Sequence, residues 1–181
     1  QLSQHNFMNY HVGLLPKWRG NSANGWAIIN GENEVGYTLH KVVSMLDDGP
    51  IYYRFKYQYI EGRTYVDAKA AMEADLKANI SNIVKRVIVN PNSYINETLI
   101  DYVYCSKFRP IDGMMSSWNV TTEEIIRKLY VFGPPLGTGL KFTFKNRIYE
   151  IRRVSRIPLF AQSKGIPGGV IYITNGSLWV K

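Results

Sequence analysis

Between residues 65 and 89 apolar side chains return at three- and four-residue steps: Met72, Leu76, Ile80, Ile83, Val84 and Val87. That period predicts one long helix with a single apolar face. Thr64 stands where an N-cap belongs, and Asn90-Pro91 stops the run. A helix of this kind has to lay its apolar face on another layer. The segments before it supply one. "EVGYTLHKVV" (34–43) and "GPIYYRFKYQYI" (49–60) are rich in β-branched and aromatic residues and read as strands. "FMNYHV" (7–12) reads as another. The expected class is α/β.

The rest of the chain is punctuated differently. Gly13, Pro16 and Gly20 mark 13–21 as a loop, and "SANGWAIIN" (22–30) reads as a short helix. Residues 104–120 look irregular. Thr121 with Glu124 forms a capping-box pattern that opens a helix over 122–132. Beyond residue 140 the chain reads as all strand, with an Asn-Gly hairpin turn at 175–176. The organisation expected is therefore a first domain over 1–108, a linker over 109–120 and a small β domain over 121–181. Gln1 leads almost at once into a strand and Lys181 follows "SLWV", so the chain is expected to be a piece of a longer protein.

Of the 181 residues 45% are hydrophobic and 20% charged, enough for a real core. The one cysteine, Cys105, excludes an internal disulfide framework and suits a reducing, cytoplasmic setting. No apolar run reaches the length of a membrane span. The net charge is +8, and residues 141–164 hold seven basic side chains against one acid, Glu150. A basic β face of that kind suits nucleic acid, and is equally the solvated outside of a barrel.

Asn9 and His11 lie two apart on a predicted strand, so their side chains share a face. Asp47 and Asp48 follow the next long strand, and a carboxylate there can orient His11 as a triad acid orients its base. Asn is a neutral donor suited to an oxyanion. Asn, His and Asp together suit attack on a carbonyl-type carbon with proton transfer. An Asn-x-His pair by itself is also a common structural motif.

The neighbouring residues sharpen this. "NYHVGLLPKWRG", "AIINGENEVGYTLH" and "LDDGPI" together resemble the folate-dependent formyltransferase family, whose motif runs Asn-x-His, Leu-Leu-Pro, then Asp-x-Gly. Asp47 stands 36 residues beyond His11, which is the family's spacing, and the resemblance thus selects Asp47 over Asp48. "RPIDGMMSSWNVTTEEIIRKL" resembles the family's linker, and "GGVIYITNGSLWVK" the start of its C-terminal barrel. The early strands of the family's sheet are absent, and "PPLGTGLKF" departs from the usual Pro-Pro-x-Pro-Gly-Ala.

The resemblance implies the C-terminal half of a Rossmann-like catalytic domain followed by a truncated OB-like β-barrel. It implies 10-formyltetrahydrofolate as donor, a primary amine as acceptor and no metal. Asn9, His11 and Asp47 are the implied catalytic residues. Leu15, Pro16, Ser44, Met45 and Leu46 are implied around the folate, and Arg19 at an acidic group of substrate or cofactor. "RGNSANGWAIINGENEVGYTLH" is more similar to the sugar-nucleotide branch, so a nucleotide-linked amino sugar is the expected acceptor, with initiator tRNA as the alternative. His40, also typical of that branch, is expected to be structural, and Trp26 to be core. A formyltetrahydrofolate deformylase and a non-catalytic binding fragment are the other readings, and a homo-oligomer is compatible with all of them.

Overall fold

The computed structural model describes residues 7–59, 65–96, 101–133, 137–154, 170–174 and 177–180. It divides into two units, residues 1–108 and 109–181. His5, Thr64 and the Asn175-Gly176 turn lie outside the described residues.

The first unit is mixed α/β. Strand β1 (Met8–His11) is followed by a short β2 (Trp18–Gly20), helix α1 (Ala23–Ile29), strands β3 (Glu34–Lys41) and β4 (Ile51–Gln58), helix α2 (Tyr65–Val89) and β5 (Val103–Cys105). One sheet has the order β1-β3-β4, and β2 pairs with β5 in a second. Both pairings in the first sheet are antiparallel. The sheet that carries Asn9 and His11 is thus antiparallel at both of its described pairings. The reason lies in the connections: β3 and β4 are joined by the loop 42–50, which contains no helix, and a parallel pair needs a longer crossover. The parallel pair in this unit is β2 with β5.

Alternation along β3 decides what each face carries. Tyr37 and Leu39 face one side, Thr38 and His40 the other, and all four are buried. On the first side Tyr37 stacks on Phe55 and lies against Tyr53, and both tyrosine hydroxyls donate to Asp75 of α2. These bonds tie a carboxylate in the helix's inner face to the sheet, and burial with Asp75 pushes the Tyr53 phenol up to about 12. Helix α2 follows the predicted stripe: Met72 and Ile83 are buried, and Leu76, Ile80, Val84 and Val87 are partly so.

Helix α1 is fixed by Asn24. Its amide donates to the Gly36 carbonyl at 2.7 Å and accepts from the Gly36 N–H at 3.1 Å, so the side chain pairs with β3 as a neighbouring strand does. Trp18, Ala23 and Ala27 form a small core beneath it, with Trp26 packed against them.

The second unit opens with a 3-10 turn (Pro110–Gly113) and strand β6 (Met114–Met115). The stretch 104–120, which reads as irregular, thus carries the end of β5 and all of β6. Strands of two or three residues show no alternation from which to read them. Helix α3 (Thr122–Phe132) begins at the predicted capping box, with the Thr121 side chain accepting from the Glu124 N–H and the Glu124 carboxylate accepting from the Thr121 N–H. Strands β7 (Leu140–Phe144) and β8 (Arg147–Ile151) complete a β6-β7-β8 sheet, and β9 (Val170–Thr174) pairs with β10 (Ser177–Val180).

Candidate active site

The register of β1 on β3 sets the site. Asn9 stands directly opposite His40, and His11 opposite Thr38, all on the face away from α2. A register shift between Leu39 and His40 in the pairing with β4 falls beside this cluster. Such irregularities re-aim side chains near functional sites.

Asp47 enters from the loop 42–50. Its backbone is left-handed, at φ 50°, a conformation that aspartate tolerates better than most residues. Oδ2 accepts from the Gly20 N–H at 2.8 Å and lies 3.4 Å from His11 Nδ1. Oδ1 lies 3.4 Å from both Asn9 Nδ2 and His40 Nε2. The three residues named by the sequence thus converge on one point, with His40 as a fourth member. His11, His40 and Asp47 are each less than a tenth exposed.

Carbonyl partners assign the two ring tautomers. His11 Nε2 donates to the Trp18 carbonyl at 2.7 Å, which turns Nδ1 toward Asp47. His40 has the opposite tautomer. Its Nδ1 donates to the Lys41 carbonyl at 3.0 Å, and Nε2 accepts from Asn9 Nδ2 at 3.0 Å. Burial holds the His40 imidazole below its ordinary pKa, against the opposing pull of the Lys41 carbonyl and Asp47. Neutral His40 is the form these bonds require.

The surrounding backbone is shaped to permit this. A Cβ on Gly49 meets the Lys41 carbonyl oxygen at 1.7 Å and His40 Nδ1 at 3.3 Å. The glycine of Asp47-Asp48-Gly49 is therefore needed for close approach. Thr38 braces the Leu-Leu-Pro turn: its hydroxyl donates to the Gly13 carbonyl and accepts from the Leu15 N–H.

Arg19, expected at an acidic group, meets Asp48 at 2.5 Å. It also donates to the Pro16 carbonyl and lies over the Tyr102 ring, 4.1 Å from its centroid. Burial alone lowers an arginine's pKa, but Tyr104 and Asp48 outweigh it and raise that of Arg19. Leu15 is turned into the core, and Pro16 is partly buried. Ser44, Met45 and Leu46 stand exposed on the loop that carries Asp47. Trp26 donates to the Ser106 carbonyl and packs against Phe108. Among the described residues, no group of three or more His, Cys, Asp or Glu is arranged to hold a metal.

A carboxamide, two oppositely bonded imidazoles and a buried carboxylate, carried by a mixed α/β unit, can hydrogen-bond a polarised oxygen and move a proton beside it. Residues 1–87 match the family model described as formyl transferase. Those residues belong to the formyltransferase family. The methionyl-tRNA formyltransferase of Pelagibacter ubique is 30% identical over 152 residues, covering 83% of this chain and 47% of that protein. The chain spans about half the length of the curated relatives it matches. Among solved structures, a sugar N-formyltransferase from a Shewanella species aligns with a TM-score of 0.64 at 20% identity, over 87% of this chain and 64% of that one. HypX from Aquifex aeolicus in complex with tetrahydrofolic acid aligns at 0.55 and 17% identity, over 98% of this chain and 30% of that one. These two are likenesses of fold.

Proposed function

We propose that the protein transfers a formyl group from 10-formyltetrahydrofolate to a primary amine. The convergence of Asn9, His11 and Asp47 within one buried cluster supports this most. The amine nitrogen attacks the formyl carbon, and the carbonyl electron pair moves onto oxygen. Asn9 donates to that oxyanion, and His11, beside Asp47, stabilises it too. Asp47 then takes the proton of the attacking amine. Collapse re-forms the carbonyl and breaks the bond to folate N10, which leaves with a proton. The formyl group and the amine proton have then changed places.

Met45 and Leu46 stand exposed on the loop beside Asp47, with Ser44 next to them, and in this reading that loop meets the pterin, with Leu15 and Pro16 behind it. Arg19 steadies the loop through Asp48, and a direct meeting with an acidic group of the donor or acceptor is read out as a change in KM. The acceptor we favour is a nucleotide-linked amino sugar, since His40 belongs to the sugar-branch pattern and sits in the cluster. The reaction is then cytoplasmic. The second unit, in this reading, is part of a small OB-like barrel.

Initiator tRNA is the second reading, favoured by the 30% identity to a methionyl-tRNA formyltransferase and by the basic residues 141–164. Salt separates the two. With tRNA, kcat/KM falls steeply as ionic strength rises, because bound phosphates release counterions; with a sugar nucleotide it changes little. Formate release from the donor with no amine present supports a hydrolase instead.

A further inference from the structure

We propose that His40 is a positioning residue that fixes the carboxamide of Asn9, so that one Asn9 N–H is left for the reacting oxygen. The inference rests on the formyl-transfer reading and assigns a role to a residue that the sequence alone marks as structural.

The bonds leave little choice. Asn9 Nδ2 has two hydrogens. One is taken by His40 Nε2 at 3.0 Å. The other points toward Asp47 Oδ1 at 3.4 Å, long enough to be only weakly held. That second hydrogen is the one an incoming oxygen can claim. It stays aimed there because His40 can only accept at Nε2: its own proton is committed to the Lys41 carbonyl at Nδ1. The carbonyl itself is pinned by the backbone, since Lys41 N–H donates to the Pro50 carbonyl at 2.9 Å and Gly49 packs against the Lys41 oxygen. An amide whose oxygen and nitrogen could exchange places would offer the site a lone pair half the time. The cross-strand register of Asn9 on His40 removes that freedom.

The same geometry implies a response to acid. The titratable groups that face the ring are Asp47 from the loop 42–50 and His11 from β1, whose ring centroid is 6.3 Å away; Lys41 follows it on β3. Protonated His40 has no acceptor left. Its Nε2–H then turns to Asp47 Oδ1, and Asn9 must present its oxygen to the ring and withdraw its donor.

Two variants of the full-length protein test this, His40→Leu and His40→Gln. Leucine removes the acceptor. Glutamine can supply an amide oxygen near Nε2 but cannot titrate. We expect His40→Leu to lower kcat by about tenfold or more, as loss of an oriented donor does, with KM for 10-formyltetrahydrofolate within about twofold of wild type. Adding His40→Leu to Asn9→Ala should cost little more than Asn9→Ala alone, because the two act as one unit. His40→Gln should recover most of kcat and lose the acidic limb of its pH profile. Equal losses in both variants that follow their melting temperatures, or an additive double mutant, overturn the proposal. ¹⁵N NMR of the imidazoles gives a readout independent of turnover. We expect His40 protonated at Nδ1 at neutral pH, with an Nε2 signal that shifts in Asn9→Ala. An Nε2-protonated ring overturns the positioning role whatever the activity. A wild-type protein with the expected tautomer and no formyl transfer overturns the reaction assignment instead.

Discussion

His11 turns Nδ1 toward Asp47 Oδ2, 3.4 Å away, because Nε2 is bound to the Trp18 carbonyl at 2.7 Å. In the proposed reaction the nitrogen left for the reactants is then Nδ1, beside the carboxylate. Asp47→Asn replaces an acceptor with a group that has half its accepting capacity and carries no charge. We expect turnover to fall by ~10²–10⁴, the range general acid–base groups contribute, with the melting temperature changed by only a few degrees. Steady-state kinetics with a thermal melt on the same preparation checks both.

Gly49 has no room for a side chain, since an added Cβ lies 1.7 Å from the Lys41 carbonyl oxygen. Gly49→Ala must push that carbonyl away from His40 Nδ1. We expect a loss of about 1–3 kcal/mol in stability, the usual cost of overpacking, and a fall in kcat larger than that loss explains. Urea titration and kcat measured well below the melting temperature separate the two effects.

Arg19 joins the turn at Asp48 to β5 through Tyr102 and Tyr104. Arg19→Met keeps the bulk and removes the charge. In the full-length protein we expect kcat to fall with KM for the donor unchanged, because Asp47 loses its fixed position. A rise in KM with kcat unchanged shows instead that the guanidinium binds an acidic ligand.

His40 also links stability to pH. Its folded-state pKa lies below the ordinary value, so the unfolded chain binds its proton first as the pH falls. The stability held by neutral His40 is complete above the unfolded value of ~6.5. It is lost as the pH drops from there through the lower folded value. Denaturation curves collected from pH 7.5 to 4.5 should show this slope in wild type and a shallower one in His40→Gln.

Much of this architecture is legible in the residues. The apolar stripe of α2, the Thr121-Glu124 capping box and the aromatic runs of β3 and β4 each carry a local signal with a known period or spacing. Asn9 and His11 share a face because alternation requires it. What stays hidden depends on partners distant in the chain. β2 is three residues long and exists because β5 pairs with it. The antiparallel pairing of β1 with β3 follows from how the chain returns through β2 and α1, which no local pattern encodes. Arg19 reads as a solvated or ligand-binding residue until Asp48, Tyr102 and Tyr104 are seen around it. His40 looks like any buried histidine until its register against Asn9 is known; that cross-strand pairing is the signal that places it in the site.

The most direct test of the central claim is formyl transfer itself. The full-length protein is mixed with 10-formyltetrahydrofolate and a nucleotide-linked amino sugar or initiator methionyl-tRNA, and tetrahydrofolate and formylated amine are measured together. We expect the two products in equal amounts, with Asn9→Ala slower by ~10²–10³, as for loss of an oxyanion donor. Wild-type protein that forms no formylated amine, or an Asn9→Ala variant less than tenfold impaired, contradicts the account.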